Sequence, residues 1–188
     1  VDFRLACFID GGYLDKILRD EFAGTRVDYS RLVAALASQI KPGIDVLRTY
    51  YYHCLPYQSD PPTPDESQRV SSMQKFLAKI ERLPRFQLRR GRLARRGPDE
   101  RGNYRFEQKM VDVLLSVDLV KLSVGGQITH VALVAGDADF VPAMQIAKDE
   151  GVQVWLFYGG KVHGELLQAA DERVRIDQAL VDLVRLQE

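Results

Sequence analysis

Five consecutive apolar residues, Leu5 to Ile9, stand between Arg4 and the polar turn Asp10-Gly11-Gly12. A run this short, with no polar alternation, predicts a strand covered on both faces. Apolar residues three and four apart predict helices over Tyr13 to Arg19 and Ser30 to Ile40, the second capped by Asp28 or Ser30 and stopped at Pro42-Gly43. Val46 to Tyr52 reads as a second strand. Pro56, Pro61, Pro62 and Pro64 then predict an exposed loop over 56–66. Helical spacing returns from Ser67 to Leu83, ends at Pro84, and gives way to a strand-like Phe86-Gln87-Leu88. An arginine-rich arm follows, over 85–107. Gln108 to Val124 is apolar on most sides, the mark of a helix packed deep against a sheet. His130 to Ala135 and Gln153 to Tyr158 predict two more strands, with Val141 to Lys148 as the crossover helix between them. Val174 to Leu186 offers a short strand and a closing helix.

Strands alternating with helices predict an α/β fold with a parallel, doubly wound sheet, in which ligands bind outside the carboxyl ends of the strands. The chain has 188 residues and is 46% hydrophobic, which suits one domain over residues 1–188. Lys plus Arg and Asp plus Glu number 26 each, so no whole-molecule attraction draws nucleic acid or lipid, and any charged partner must be met by local clusters. Only Cys7 and Cys54 are present, which excludes a disulfide framework and a four-cysteine zinc site and suggests buried thiols. No apolar stretch approaches the roughly 20 residues that cross a bilayer. The start Val1-Asp2-Phe3-Arg4 lacks the layout of a signal peptide, so no membrane partner and a cytoplasmic location are expected. A homodimer is compatible with everything above.

The chemistry lies in the aspartates. Asp10 closes the first strand, and Asp137 closes the His130 strand within Ala135-Gly136-Asp137-Ala138-Asp139-Phe140, so parallel pairing puts both at one sheet edge. Asp139 is two residues on. Asp112 falls in the first turns of the helix expected from Gln108, with Lys109 and Ser116 on its face. Asp118 lies roughly 9 Å farther along that helix and is turned away. Carboxylates about 4 Å apart repel by roughly 4 kcal/mol at an effective dielectric near 20, so a shared site needs a cation. Oxygen donors without His or Cys favour Mg2+ or Mn2+ over zinc. Each aspartate also has a plain structural reading: Asp10 as a turn residue, Asp139 as a helix cap.

Phe8-Ile9-Asp10-Gly11-Gly12-Tyr13-Leu14, Lys109-Met110-Val111-Asp112 through Val117-Asp118, and Ala135 to Phe140 occur in an order that resembles the NYN domain of LabA-like proteins, a branch of the PIN-like nucleases. The resemblance spans about the whole chain. It implies a three-layer α/β/α sandwich with a parallel sheet, a magnesium-dependent acidic centre and ribonuclease activity. By motif position the catalytic and metal-holding acids are Asp10, Asp112, Asp137 and Asp139, with Asp118 as a further family acid. Two departures stand out: many members have Asn where this chain has Tyr13, and Ser where it has Ala135.

The implied reaction is metal-assisted hydrolysis of RNA phosphodiester bonds. Between Arg85 and Arg105 eight arginines face only Asp99 and Glu100, with Phe86, Tyr104 and Phe106 interleaved. That mixture suits the phosphates and stacked bases of single-stranded RNA, with Tyr13, Lys109, Arg89, Arg90, Arg92, Arg95 and Arg96 as candidate substrate contacts. The plain alternative is a solvated hairpin whose arginines pair with acids elsewhere. Two rival functions remain. His53 and His163, each after a strand, offer a metal-free acid and base, whereas His130 precedes its strand and lies at the wrong end. A binding module on the same fold would grip RNA or a protein without cutting, as the Tyr13 and Ala135 departures permit.

Overall fold

The computed structural model describes the backbone of residues 2–98 and 104–187 and the side chains of 2–91 and 110–187. The first strand, β1 (Arg4–Asp10), is fully buried from Leu5 to Ile9. It runs directly into α1 (Gly11–Glu21), because the Asp10 carboxylate accepts the Tyr13 N–H at 3.1 Å and so caps the helix. Asp28 caps α2 (Tyr29–Ile40) in the same way, from the Arg31 N–H. There follow β2 (Asp45–His53), α3 (Pro64–Glu81), β3 (Phe86–Arg90), β4 (Arg92–Pro98) and β5 (Tyr104–Lys109). The chain ends through α4 (Val111–Val124), β6 (His130–Val134), a 3-10 turn (Ala138–Phe140), α5 (Val141–Asp149), β7 (Gln153–Tyr158), α6 (Gly164–Ala169), β8 (Glu172–Arg175) and α7 (Gln178–Val184).

Six strands form one parallel sheet in the order β3-β2-β1-β6-β7-β8, and β4 pairs with β5 in a separate antiparallel hairpin. Successive residues of a strand point to opposite faces. Accordingly Leu5, Cys7 and Ile9 join α1, α2, α3 and α7 in one core, while Ala6 and Phe8 join α4, α5 and α6 in the other. This is the α/β sandwich with a parallel sheet expected from the sequence. Cys7 is a buried free thiol, and burial pushes its pKa up to about 12, offset in part by Thr49. Among the described residues no helix is long and apolar enough to cross a membrane.

Three expectations change. Pro64 opens α3 instead of closing a loop: Thr63 and Glu66 form a reciprocal capping box, and the missing proline N–H is one that the first helical turn leaves free anyway. The proline-rich loop therefore stops at Thr63. The helix expected from Gln108 begins at Val111, because Gln108 and Lys109 pair with Leu93 and Arg92 in the hairpin and Met110 turns the chain at φ 78°. Lys109 thus ends β5 and does not share a helical face with Asp112. The arm expected over 85–107 divides: Phe86–Arg90 forms β3 of the parallel sheet and the rest leads through the β4–β5 hairpin, while α6 carries no periodicity long enough to read.

Candidate active site

β1 lies at the centre of the sheet, and the chain builds outward from it first to β2 and β3, then across to β6, β7 and β8. The gap between β1 and β6 is therefore the point where the winding reverses, and the helices leaving it part to opposite faces. Ile9 pairs with Val134, so the two strand ends are level. Asp10 closes β1 and Asp137 follows β6 by three residues, which sets both at this crevice. Asp137 is exposed and accepts the Asp139 N–H at 3.2 Å, fixing the turn on which Asp139 stands, also exposed. α4 packs against β1, β2 and that same turn, and Asp112 occupies its first helical turn, half-buried. Asp10 is half-buried as well. Burial pushes its pKa up, and the Tyr13 N–H, the charge of His53, the Gly12 N–H and Lys16 pull it back only in part.

Other predicted residues are committed elsewhere. The Asp118 carboxylate accepts from Tyr52 Oη at 2.9 Å and from Arg89 Nε at 2.8 Å, and it is largely buried between α4 and the sheet. Arg89 also lies over the Tyr50 ring, 5.4 Å from its centroid. Asp118 and Arg89 are thus brought to each other. Arg90 reaches Glu81 at 3.7 Å, with both side chains exposed. Tyr13 bridges the crevice: a Cβ on Gly136 would stand 2.2 Å from Tyr13 Cε2, and Tyr13 Oη accepts the Gly159 N–H at 3.0 Å. Glycine at 136 is required by that close approach. The side chains of Lys109, Arg92, Arg95 and Arg96, and all of Arg101, lie outside the described residues.

The NYN domain family matches residues 4–177, which takes in every strand of the parallel sheet. The chain belongs to the NYN domain family. NYN domains are PIN-like, are in general ribonucleases, and act on RNA. No curated protein matches this NYN domain. Among solved structures it is similar to MurG of Acinetobacter baumannii, at 13% identity and a TM-score of 0.43, over 92% of this chain and 41% of that one. The NYN domain thus spans less than half the length of MurG.

PIN-like nucleases typically use divalent metals. Among the described residues no three His, Cys, Asp or Glu side chains stand close enough together to hold an ion. The donor chemistry at the crevice of this NYN domain nevertheless suits a hard cation. Asp10 and Asp137 bring carboxylate oxygens to the two strand ends there, and Asp10 is desolvated in the way that a neighbouring positive charge offsets.

The histidines sit differently from expectation. His53 is the last residue of β2 and is buried, not in a loop. Its Nε2 lies 2.8 Å from Asp15 Oδ2, and its Nδ1 lies 2.8 Å from the Cys54 carbonyl oxygen and 2.9 Å from the Cys54 backbone nitrogen. Burial opposes its charge, but the bonds to Asp15 and Cys54 outweigh burial and hold the pKa up to about 10. An imidazole whose pKa is held that far above neutrality is a poor proton shuttle there. His163 precedes α6 and is exposed, its backbone N–H donating to the Gly136 carbonyl at 2.9 Å. Sequence reading missed Asp15 as the partner of His53, 38 residues away, and missed Lys161, whose carbonyl also lies against Gly136. The glycine pair Gly159-Gly160 was the one available signal of a close approach there.

Proposed function

We propose that this NYN domain, of the LabA-like branch, is a cytoplasmic ribonuclease that hydrolyses single-stranded RNA with Mg2+ or Mn2+ held by Asp10, Asp112, Asp137 and Asp139. The observation that carries the reading is the pair of carboxylates closing β1 and β6 at the point where the sheet reverses its winding, with Asp112 entering from α4. A divalent ion bound there supplies Lewis acidity toward the phosphodiester and its attacking water. The protein supplies geometry. Asp10 is held by its capping bond to Tyr13, and Asp137 by its bond to the Asp139 N–H, so neither carboxylate has to be ordered when substrate arrives. Tyr13 closes the floor between them, and the imidazolium of His53 tempers the repulsion around Asp10. Water attacks phosphorus, the P–O bond to the leaving ribose breaks, and the product oxygen takes a proton. Single-stranded RNA is favoured by the aromatic residues interleaved with the arginines of the hairpin sequence.

The test is cleavage of mixed RNA and DNA substrates by wild type and Asp137→Asn, with magnesium, manganese or chelator. Magnesium-dependent RNA products from wild type alone are expected; equal cleavage by both proteins removes the assignment. A second reading, an RNA- or protein-binding module that does not cut, is favoured by Tyr13, whose hydroxyl is tied to Gly159 where relatives carry an amide side chain. RNA binding without metal-dependent products would select it.

A further inference from the structure

Along the carboxyl edge of the sheet the strand ends follow one another as β3, β2, β1, β6 and β7. The hairpin leaves this edge beyond β3, its first turn fixed by the Gly91 N–H donating to the His53 carbonyl at 2.9 Å. At the other side, the segment after β7 turns back toward the crevice and is held there by three bonds. The Gly159 N–H donates to Tyr13 Oη at 3.0 Å, the Gly160 N–H to Glu21 Oε1 at 2.6 Å, and the His163 N–H to the Gly136 carbonyl at 2.9 Å. Lys161 lies in the middle of the segment, and a Cβ on Gly136 would stand 2.8 Å from its carbonyl oxygen. Its backbone is thus anchored beside the residue that precedes Asp137.

The Lys161 side chain is 90% exposed, and among the described residues its ammonium pairs only with Asp20 Oδ2, at 3.9 Å. That carboxylate already takes Arg19 at 2.9 Å through its other oxygen. An exposed pair at such a distance contributes little, so the ammonium is free to serve another anion. Glu21, which holds the Gly160 N–H next to Lys161, is also taken by Arg175 at 3.4 Å. Lys16 is exposed on α1, which packs against β1 and β2, and its charge reaches both Asp10 and Asp20.

The edge therefore runs from a hairpin rich in arginine, through the carboxylates, to Lys161. We infer that Lys161 forms a second phosphate-contact rim on the side of the carboxylates away from the hairpin, joined by Lys16 on α1, so that bound RNA lies across the strand ends, over Asp10 and Asp137. From β3 to β7 is roughly 20 Å at about 4.8 Å per strand, a span that a single strand of several nucleotides covers. The inference rests on the ribonuclease reading, because it presumes that RNA is the ligand. It adds which residues grip the strand beyond the carboxylates and along which line the strand lies.

The experiment is fluorescence anisotropy with a labelled oligouridine of about 16 nucleotides. It is run in calcium over a series of salt concentrations, with the RNA checked intact afterwards. Wild type is compared with Lys161→Glu, Lys161→Arg, the double variant Lys16→Glu/Lys161→Glu and, as a control of equal charge change, Lys121→Glu. Lys121 is exposed in the last turn of α4, at the opposite edge of the sheet. Lys161→Glu is expected to weaken binding about fivefold and to lower the salt slope by about 0.7, and the double variant by about twice that slope. Lys161→Arg should bind as wild type does, and all variants should keep the wild-type melting temperature. If Lys161→Glu binds and responds to salt as Lys121→Glu does, the rim is overturned while the ribonuclease reading stands. If wild type binds no RNA, both fall together.

Discussion

Asp10 and Asp118 are both aspartates withdrawn from solvent, and the protein treats them in opposite ways. Asp118 meets a guanidinium at 2.8 Å and a phenol at 2.9 Å, so its charge is answered inside the protein. Asp10 receives a backbone N–H at 3.1 Å and, among the described residues, no ion pair, and burial leaves its carboxyl harder to ionise than an ordinary aspartate. The first is stabilised as it stands. The second closes a strand whose neighbour leads to Asp137, where the cation of the proposed reaction would offset its charge.

The largest effect that would break this comparison is catalytic. Asp10→Asn and Asp137→Asn should each lower RNA cleavage on the order of 100-fold or more, by removing negative charge aimed at the reacting centre. Asp118→Asn should leave the rate within a few-fold; initial rates in magnesium compare the three, and equal losses would erase the distinction. The second effect is on stability and runs the other way. Asp118→Ala strands Arg89 and Tyr52 partly buried and should cost about 2 kcal/mol, read from the urea midpoint, whereas Asp10→Asn, which sheds a desolvated charge, should cost less.

His53 sharpens the contrast through pH. Its folded pKa of about 10 lies above the model-compound 6.5, so the stability from its bond to Asp15 is whole below pH 6.5 and is lost as pH rises toward 10. His53→Gln should flatten that decline, measured as melting temperature from pH 6 to 10; an unchanged slope would deny the charged pair. The smallest effect concerns Tyr13. Tyr13→Phe loses the Gly159 bond and should lower stability by about 1 kcal/mol with little change in cleavage, as a strut would. A large loss of activity without loss of stability would make Tyr13 a substrate contact.

Much of this was legible in the residues. The unbroken apolar run of Leu5 to Ile9 announces a strand buried on both faces, and the crossover pattern from His130 to Tyr158 announces parallel pairing. Together they bring Asp10 and Asp137 to one edge, since the side-chain period and strand direction leave little choice. The boundaries around Asp112 were harder. The Met110 turn and the hairpin pairing that draws Lys109 out of the helix depend on residues 92–98, which no local periodicity reveals.

What the sequence by itself determined is therefore the layered architecture and the level of its acids, because both follow from short-range hydrophobic spacing. Only the tertiary structure decided which charges are already answered. Arg89 finds Asp118 across 29 positions, His53 finds Asp15 across 38, and Tyr13 finds Gly159 across 146. Such pairs are chosen by the register of neighbouring strands and the docking of helices on them. Those distances exist only once the chain has folded.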